Sequence, residues 1–261
     1  MEPAEDLEPA SAIDTTPVAE GSTAGLSPTP KPRTGRPQWE QNAKDRLRKL
    51  VRRIVKPLGE AVARDANEAD TRMLITDLLR EGLGYSDYGD LSAEHPVRGE
   101  FADYGLRIDQ QLIAFVEMKR ATTKLGLRHL RQVELYAMHE GVEWVVLTNG
   151  AVWQVYHLTA GMPIIVDLAF DIDILGEKTS PTQKVDKLFY LSKESMKRRQ
   201  IDELWRMQAA TSPRQLAASI LSRPVLVALH REIWRRTRER VDEKELARLV
   251  RETVIRPEAV T

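Results

Sequence analysis

Three residues near the middle of the chain carry the types and spacing for phosphate chemistry. Residues 111–119 read Gln-Leu-Ile-Ala-Phe-Val-Glu-Met-Lys, an apolar run that ends in a carboxylate and an ammonium two positions apart. On a strand that spacing puts Ile113, Phe115, Glu117 and Lys119 on one face and Leu112, Ala114, Val116 and Met118 on the other. Apolar residues on both faces mark a strand covered on both sides. Charges at the end of such a strand cost several kcal/mol unless partners offset the lost hydration. A divalent cation and a phosphate are one such set of partners. A structural ion pair is another, and the tripeptide alone does not separate them.

Asp103 sharpens the question. It lies in Phe-Ala-Asp-Tyr-Gly-Leu on the strand just before, where Ala102, Tyr104, Leu106 and Ile108 share one face and Asp103, Gly105 and Arg107 the other. A hairpin closing through Asp109, Gln110 and Gln111 sets Asp103 opposite Glu117, with Cβ atoms about 4.5–5.5 Å apart. Two carboxylates that close repel each other, and Mg²⁺, which takes hard oxygen ligands, relieves the repulsion. A two-residue turn would instead oppose Asp103 to Val116 and destroy the constellation, unless a bulge restored the register. Further along, Arg128, Gln132 and Tyr136 recur every four residues and form a polar line on the next expected helix.

The elements that must position these residues follow from periodicity. Residues 39–63 predict a basic amphipathic helix with the stripe Leu47, Leu50, Val51, Ile54, Val55 and Leu58, interrupted near Pro57. Asn67 is the expected N-cap of a second helix running to about residue 83, followed by a polar loop to about His95. Strands are expected over 102–108 and 111–119, and a helix over 126–140 with Leu127, Leu130, Val133, Ala137 and Met138 inward. A hairpin over 143–149 and 151–158 turns at Asn149-Gly150, a type I′ signal, and one more strand covers 163–168. Beyond about residue 175 only amphipathic helices are expected, over 181–191, 193–208, 213–221, 223–240 and 242–254, with Ser192, Ser212 and Asp242 as caps. The pattern predicts an α/β fold, a mixed central sheet flanked by helices. It divides into a tail at 1–38, an α/β domain at 39–175 and an all-helical C-terminal subdomain at 176–261.

Composition excludes several chemistries. The 261 residues include no cysteine, which removes disulfides, thiolate zinc sites and cysteine nucleophiles. No apolar run approaches the roughly 18–20 residues that span a bilayer, and the acidic N-terminus lacks a signal segment, so a cytoplasmic protein is expected. The net charge of zero is uneven: residues 1–30 hold six acids and no base, leaving residues 31–261 at +6. That leader, rich in Pro, Ser, Thr and Ala, is expected to be disordered. The mildly basic remainder permits a nucleic-acid partner. The histidines show no metal-ligand spacing, and no Gly-x-Ser-x-Gly elbow points to a serine hydrolase.

Asp103, then Glu117-Met118-Lys119, then Gln132-Val133-Glu134-Leu135-Tyr136 resembles the signature of the PD-(D/E)XK nuclease superfamily. In particular it is similar to the N-terminal nuclease domain of type I restriction subunits; Gly99–Tyr104 and Val145–Gly150 match as well, so that the likeness covers about residues 65–170. The resemblance implies a restriction-endonuclease-like core and a Mg²⁺- (or Mn²⁺-) dependent endonuclease acting on DNA. It implies Asp103, Glu117 and the Met118 carbonyl as metal ligands, with Lys119 handling the attacking water and transition-state charge. Glu68, or less readily Asp70, would hold a metal-bound water, and Gln132 and Tyr136 would position Lys119 or the DNA. Arg120, Lys124, Arg128 and Arg36 are the expected DNA contacts. Arg36 belongs to Lys-Pro-Arg-Thr-Gly-Arg-Pro, similar to a minor-groove AT-hook, although Thr34 stands where its first core arginine would be. The C-terminal arginines Arg231, Arg235, Arg236, Arg238 and Arg240 read equally as a phosphate-contacting or a solubilising face.

The departures bound the expectation. No Gly-Lys dipeptide occurs, so the phosphate loop of an ATP-driven motor is absent from this sequence. The chain would act alone or beside a separate restriction–modification or motor subunit. The alternative is a non-catalytic DNA-binding or assembly protein that keeps the nuclease fold.

Overall fold

A computed structural model describes residues 35–86, 89–97, 100–161 and 163–257, so the expected tail falls almost wholly outside the described residues. The described chain is a six-stranded mixed sheet flanked by helices. Helix α1 (Gln38–Ala63) opens it and runs unbroken through Pro57, whose ring sits on the solvent side. The missing N–H and ring clash therefore fall where water can satisfy the freed carbonyl, and the expected interruption does not occur. Leu47, Leu50, Val51, Ile54 and Leu58 are buried, whereas Val55 is exposed, one step beyond the stripe. Helix α2 (Glu68–Asp77) starts at Asn67, whose side chain accepts the Asp70 N–H at 2.8 Å, and ends in a wider turn at Leu78–Gly82.

Strands β1 (Leu91–Val97), β2 (Glu100–Ile108), β3 (Gln111–Met118), β4 (Trp144–Thr148), β5 (Val152–Thr159) and β6 (Ile165–Asp173) lie in sequence order across the sheet. Every neighbouring pair is antiparallel except β3–β4, which are parallel and joined through α3 (Arg131–Glu140). Strand β1 occupies part of the stretch expected to be loop. Its sequence, Leu-Ser-Ala-Glu-His-Pro-Val, lacks apolar alternation and contains proline, which is what an edge strand tolerates. Between β4 and β5 the turn centres on Gly150-Ala151 rather than Asn149-Gly150. Asn149 is the residue before it: its N–H donates to the Val152 carbonyl, and its Oδ1 accepts the Val152 N–H. Gly150 takes φ +83° there, and an added Cβ would lie 3.0 Å from Leu58 Cδ1.

The sheet separates two apolar layers. Tyr104, Leu106, Val116, Met118, Val146, Trp153 and Val155 pack against α1 and α2. Phe115, Val145, Leu147, Tyr156 and Leu158 pack against Val133 and Ala137 of α3 and Leu130 just before it. A 3₁₀ turn at Leu127–His129 precedes α3, so Leu127 is not on the helix and is exposed instead of inward. Helices α4 (Pro181–Phe189), α5 (Lys193–Lys197) and α6 (Gln200–Ala210) send Val185, Leu188, Phe189, Met196 and Ile201 into the α1 layer. The helix expected over 193–208 is broken at Arg199, which adopts φ 55°. Helices α7 (Pro213–Ile220), α8 (Arg223–Thr237) and α9 (Glu243–Leu249) share a small core of their own around Leu226, Leu246 and Val250. Ser192, Ser212 and Asp242 cap as expected. Among the described residues no helix is long and apolar enough to cross a membrane.

The β2–β3 hairpin turns on two residues, with Ile108 opposite Gln111 and Arg107 opposite Leu112. A bulge follows, so that Leu106 faces Ala114, Gly105 faces Phe115 and Tyr104 faces Val116. The three-residue closure is thus replaced by a two-residue turn plus one extra residue on β3, and the net register is the same. Leu112 and Ile113 exchange faces as a consequence: Leu112 joins the α3 layer and Ile113 the α1 layer. Asp109 and Gln110 both hold left-handed conformations, φ 50° and 69°, as a type I′ turn demands. Replacing Gln110 by glycine removes a left-handed strain of about 1 kcal/mol at some expense in unfolded-chain entropy. Gln110→Gly should therefore raise the thermal midpoint, measured by circular dichroism, and a lower midpoint would show that this turn is not type I′.

Candidate active site

Asp103 sits at a break in the side-chain alternation of β2. Ala102 packs with Phe115 in the α3 layer, whereas Tyr104 packs in the α1 layer, so the two do not share a face as regular pleating would require. On β1 the registers Ala93–Tyr104 and His95–Ala102 leave Glu94 beside Asp103, and Glu94 adopts a left-handed φ of 49°. The kink turns the Asp103 side chain toward the end of β3. There its Oδ2 accepts the Met118 N–H at 2.8 Å, replacing the strand-to-strand bond that the splayed backbone no longer makes.

The register ends at Tyr104–Val116, and beyond it the Asp103 side chain reaches the end of β3 that carries Glu117. The Lys119 ammonium lies 2.5 Å from Glu117 Oε1, and both side chains are largely covered, 27% and 10% exposed. Burial pushes the Glu117 carboxyl above its ordinary value; the Lys119 bond opposes this, while the negative charges of Asp103 and Glu68 add to it. Lys119 is itself fixed through its N–H, which donates to the Thr148 carbonyl at 2.8 Å.

Helix α2 supplies the fourth side. Glu68 opens its first turn, exposed, and its charge adds to the upward push on Glu117. Asp70 turns away and pairs with Arg64, which disfavours it as the substitute for Glu68. One turn after Glu68, Arg72 reaches Asp103 Oδ1 at 2.6 Å, with its guanidinium over the Tyr104 ring. Thr71, fully buried, donates to the Asn67 carbonyl and accepts the Ala121 N–H, tying the segment after Lys119 to α2. Sequence reasoning gave neither Arg72 nor Thr71 a role. The four-residue spacing of Glu68 and Arg72, one acid and one base on a single helix face, was the available signal.

The remaining expected residues divide. Gln132 and Tyr136 lie on α3, and their side chains fall outside the described residues. Arg120 pairs with Asp65 beyond α1. Lys124 is exposed and pairs with no carboxylate among the described residues; the segment around it is held by Asn149, which donates to the Thr123 carbonyl. Arg128 is exposed and donates to His129 Nε2 at 3.2 Å. His129, near enough to Lys119 for its imidazole to be held below its ordinary pKa chiefly by burial and then by Arg128 and Lys119, leaves a buried Nδ1 without a partner among the described residues. Arg36 pairs with Glu40 at the start of α1, while Asp65 lies just past its end. A helix of 26 residues spans about 39 Å, so Arg36 is not brought to this site. Thr34 and the rest of the AT-hook-like segment before Gly35 lie outside the described residues. In the C-terminal cluster Arg235 and Arg236 are taken by Glu232, and Arg238 lies over Trp234.

Two carboxylates and a strand-end carbonyl are a hard-oxygen donor set suited to Mg²⁺. Strand N–H and C=O groups of one residue point the same way, so the Met118 carbonyl lies on the side its N–H shares with Asp103. Against this, no three acidic or imidazole groups among the described residues stand close enough to form a ready-made metal cage. Arg72 and Lys119 each hold one of the two carboxylates. The donor set fits a divalent cation provided that Arg72 yields.

No protein-family model matches the chain. No curated protein and no solved structure matches it either.

A raised Glu117 pKa means that the folded state binds a proton where the unfolded state has already released it. Stability attributable to this group is full below its unfolded value of 4.5 and is lost as pH rises through the folded value. Urea unfolding of Glu117→Gln should show a smaller loss of stability between mildly acidic and neutral pH than the wild type. An unchanged pH slope would mean that Glu117 is not strained by its neighbours.

Proposed function

We propose that this chain is a Mg²⁺-dependent endonuclease hydrolysing DNA phosphodiester bonds, with a restriction-endonuclease-like core. It resembles the nuclease domain of type I restriction subunits without the ATP motor, working in the cytoplasm alone or beside a separate subunit. The observation that carries the reading is the convergence of Asp103, Glu117 and Lys119 at one end of β3, produced by a kink in β2 and a bulge in β3. Asp103 also accepts the Met118 N–H, which holds this second acid at the strand end that carries Glu117.

In this reading Asp103, Glu117 and the Met118 carbonyl would hold the cation, which when bound would supply Lewis-acid stabilisation of charge on the phosphate. Glu68 would hold a water at the open, solvent side. Lys119 lies beside Glu117 and would place the attacking water and neutralise the charge that grows on the phosphorane-like transition state. Hydrolysis adds that water across a P–O bond, leaving a phosphate monoester and a hydroxyl. Arg120, Lys124 and Arg128 follow or flank β3 on exposed segments and would take neighbouring backbone phosphates, giving a salt-dependent affinity.

One observation favours a non-catalytic DNA-binding reading: both carboxylates already have protein cations as partners. The two readings separate in a single assay, incubation of supercoiled plasmid and of linear single strands with Mg²⁺ or EDTA. We expect nicking in Mg²⁺ only, reduced at least about a hundredfold by Lys119→Ala or Asp103→Asn. Cutting that persists in EDTA or in both variants would refute the site, and Mg²⁺-insensitive DNA binding without cutting would establish the alternative.

A further inference from the structure

Arg72 holds a position that the nuclease reading does not use. Its guanidinium takes Asp103 Oδ1 at 2.6 Å, while the other oxygen is fixed by the Met118 N–H at 2.8 Å. Each oxygen of this carboxylate thus has a partner, and its side chain is only 14% exposed. Arg72 is not a loose surface cation. It is about one-third exposed, projects from the second turn of α2, and rests over the Tyr104 ring at 5.6 Å from the centroid. The Tyr104 hydroxyl is in turn 2.7 Å from Thr76 Oγ1, one turn further along the same helix. The guanidinium is thus tethered beside the site whether or not it bonds Asp103.

We propose that Arg72 is a positioning residue that couples cation binding to phosphate binding: it competes with a divalent cation for Asp103, and once displaced it takes a phosphate oxygen of the DNA. The inference rests on the nuclease reading and adds to it a reason for obligatory order. Two acids, Asp103 and Glu117, meet two bases, Arg72 and Lys119, and the charge of Glu68 also bears on Glu117. A cation on Asp103 leaves the guanidinium without an anion in a partly covered site, an uncompensated charge. A phosphodiester is the anion that arrives next, and a planar guanidinium binds its oxygens in a fork. Each ligand therefore improves the site for the other, and by linkage the improvement is reciprocal. In the absence of DNA the cation is held weakly, which keeps the site inactive.

The test measures binding, not turnover. Ca²⁺ is titrated calorimetrically into the full chain, alone and with a short mixed-sequence DNA duplex at low salt, for wild type, Arg72→Gln, Arg72→Lys and Asp103→Asn. We expect Arg72→Gln to bind Ca²⁺ about tenfold more tightly than wild type in the free protein. We expect the duplex to tighten Ca²⁺ binding about tenfold in wild type and by less than about threefold in Arg72→Gln. Thermal unfolding in EDTA checks that the variant folds. If it does not, Arg72→Lys carries the test, with free-protein affinity expected above wild type because a more strongly hydrated ammonium holds Asp103 less firmly than the guanidinium does. Equal or weaker Ca²⁺ binding in the folded variant would overturn the proposal, leaving Arg72 as a buttress for Asp103. Wild type that binds no Ca²⁺ with or without DNA, indistinguishable from Asp103→Asn, would remove the nuclease reading itself.

Discussion

The hydrogen bond from the Met118 N–H to Asp103 is the constraint on which the site depends. A strand that ends in charged residues must find partners for its last backbone groups, because an unpaired buried N–H costs about as much as a lost hydrogen bond. Here the neighbouring strand has turned aside, and a side chain takes the place of its backbone. That substitution fixes the carboxylate to within hydrogen-bonding tolerance of the strand end, beside Glu117, without recourse to any flexible loop. The kink that makes it possible is matched on β1, where Glu94 accepts a left-handed conformation that β-strands normally refuse. Strain of this kind, of order 1–3 kcal/mol, persists only where surrounding structure holds it. Two antiparallel ladders on either side of the kink do so.

How far this was legible in the sequence depends on which interaction sets each feature. The apolar stripe of α1, the Asn67 cap and the inward positions Leu130, Val133 and Ala137 follow from local periodicity and were readable. Register was readable only in its outcome. A closure through Asp109, Gln110 and Gln111 sets Asp103 opposite Glu117, but nothing in Asp109-Gln110 announces a tight turn, and nothing at Ile113 announces a bulge. The two features compensate, so a wrong turn length led to the same register from Leu106–Ala114 to Tyr104–Val116. Strand β1 was unreadable because its stability comes from pairing with β2 and not from its own side chains. Pro57 misled for the opposite reason: its local penalty is real but is borne on a solvated face of a helix that buries eight residues.

The chemistry-bearing residues were legible as types, and their partners were not. Asp103, Glu117 and Lys119 stand out because carboxylates and amines are rare beside buried apolar runs. Arg72 does not stand out, since an arginine on an amphipathic helix is ordinary. Its significance lies in a contact across 31 positions of sequence, which no local pattern encodes. The same holds for Thr71 and Asn149, which clamp the segment after Lys119 from two sides through backbone groups. That clamp matters electrostatically. It keeps Lys119 beside Glu117, where a freely moving lysine would seek water, and it presents Lys124 on a supported segment instead of a wandering one.

The balance of charge then explains why a metal-free arrangement is tolerable at all. Two acids brought together under cover would ordinarily shed one charge by taking up a proton, and the upward push on Glu117 expresses that tendency. Lys119 opposes it at Glu117, and Arg72 pairs with Asp103, so neither acid is left without a cationic partner. Pairs of this sort gain little net stability, because the desolvation of four groups offsets most of their attraction. Their retention is better understood as holding charge in place than as holding the fold together. The sheet, whose layers pack without them, carries that second task through Phe115, Trp153 and Leu147. Fold and site are thus supported by different forces, and a substitution within the cluster can alter the site's affinity for ions while leaving the apolar layers intact.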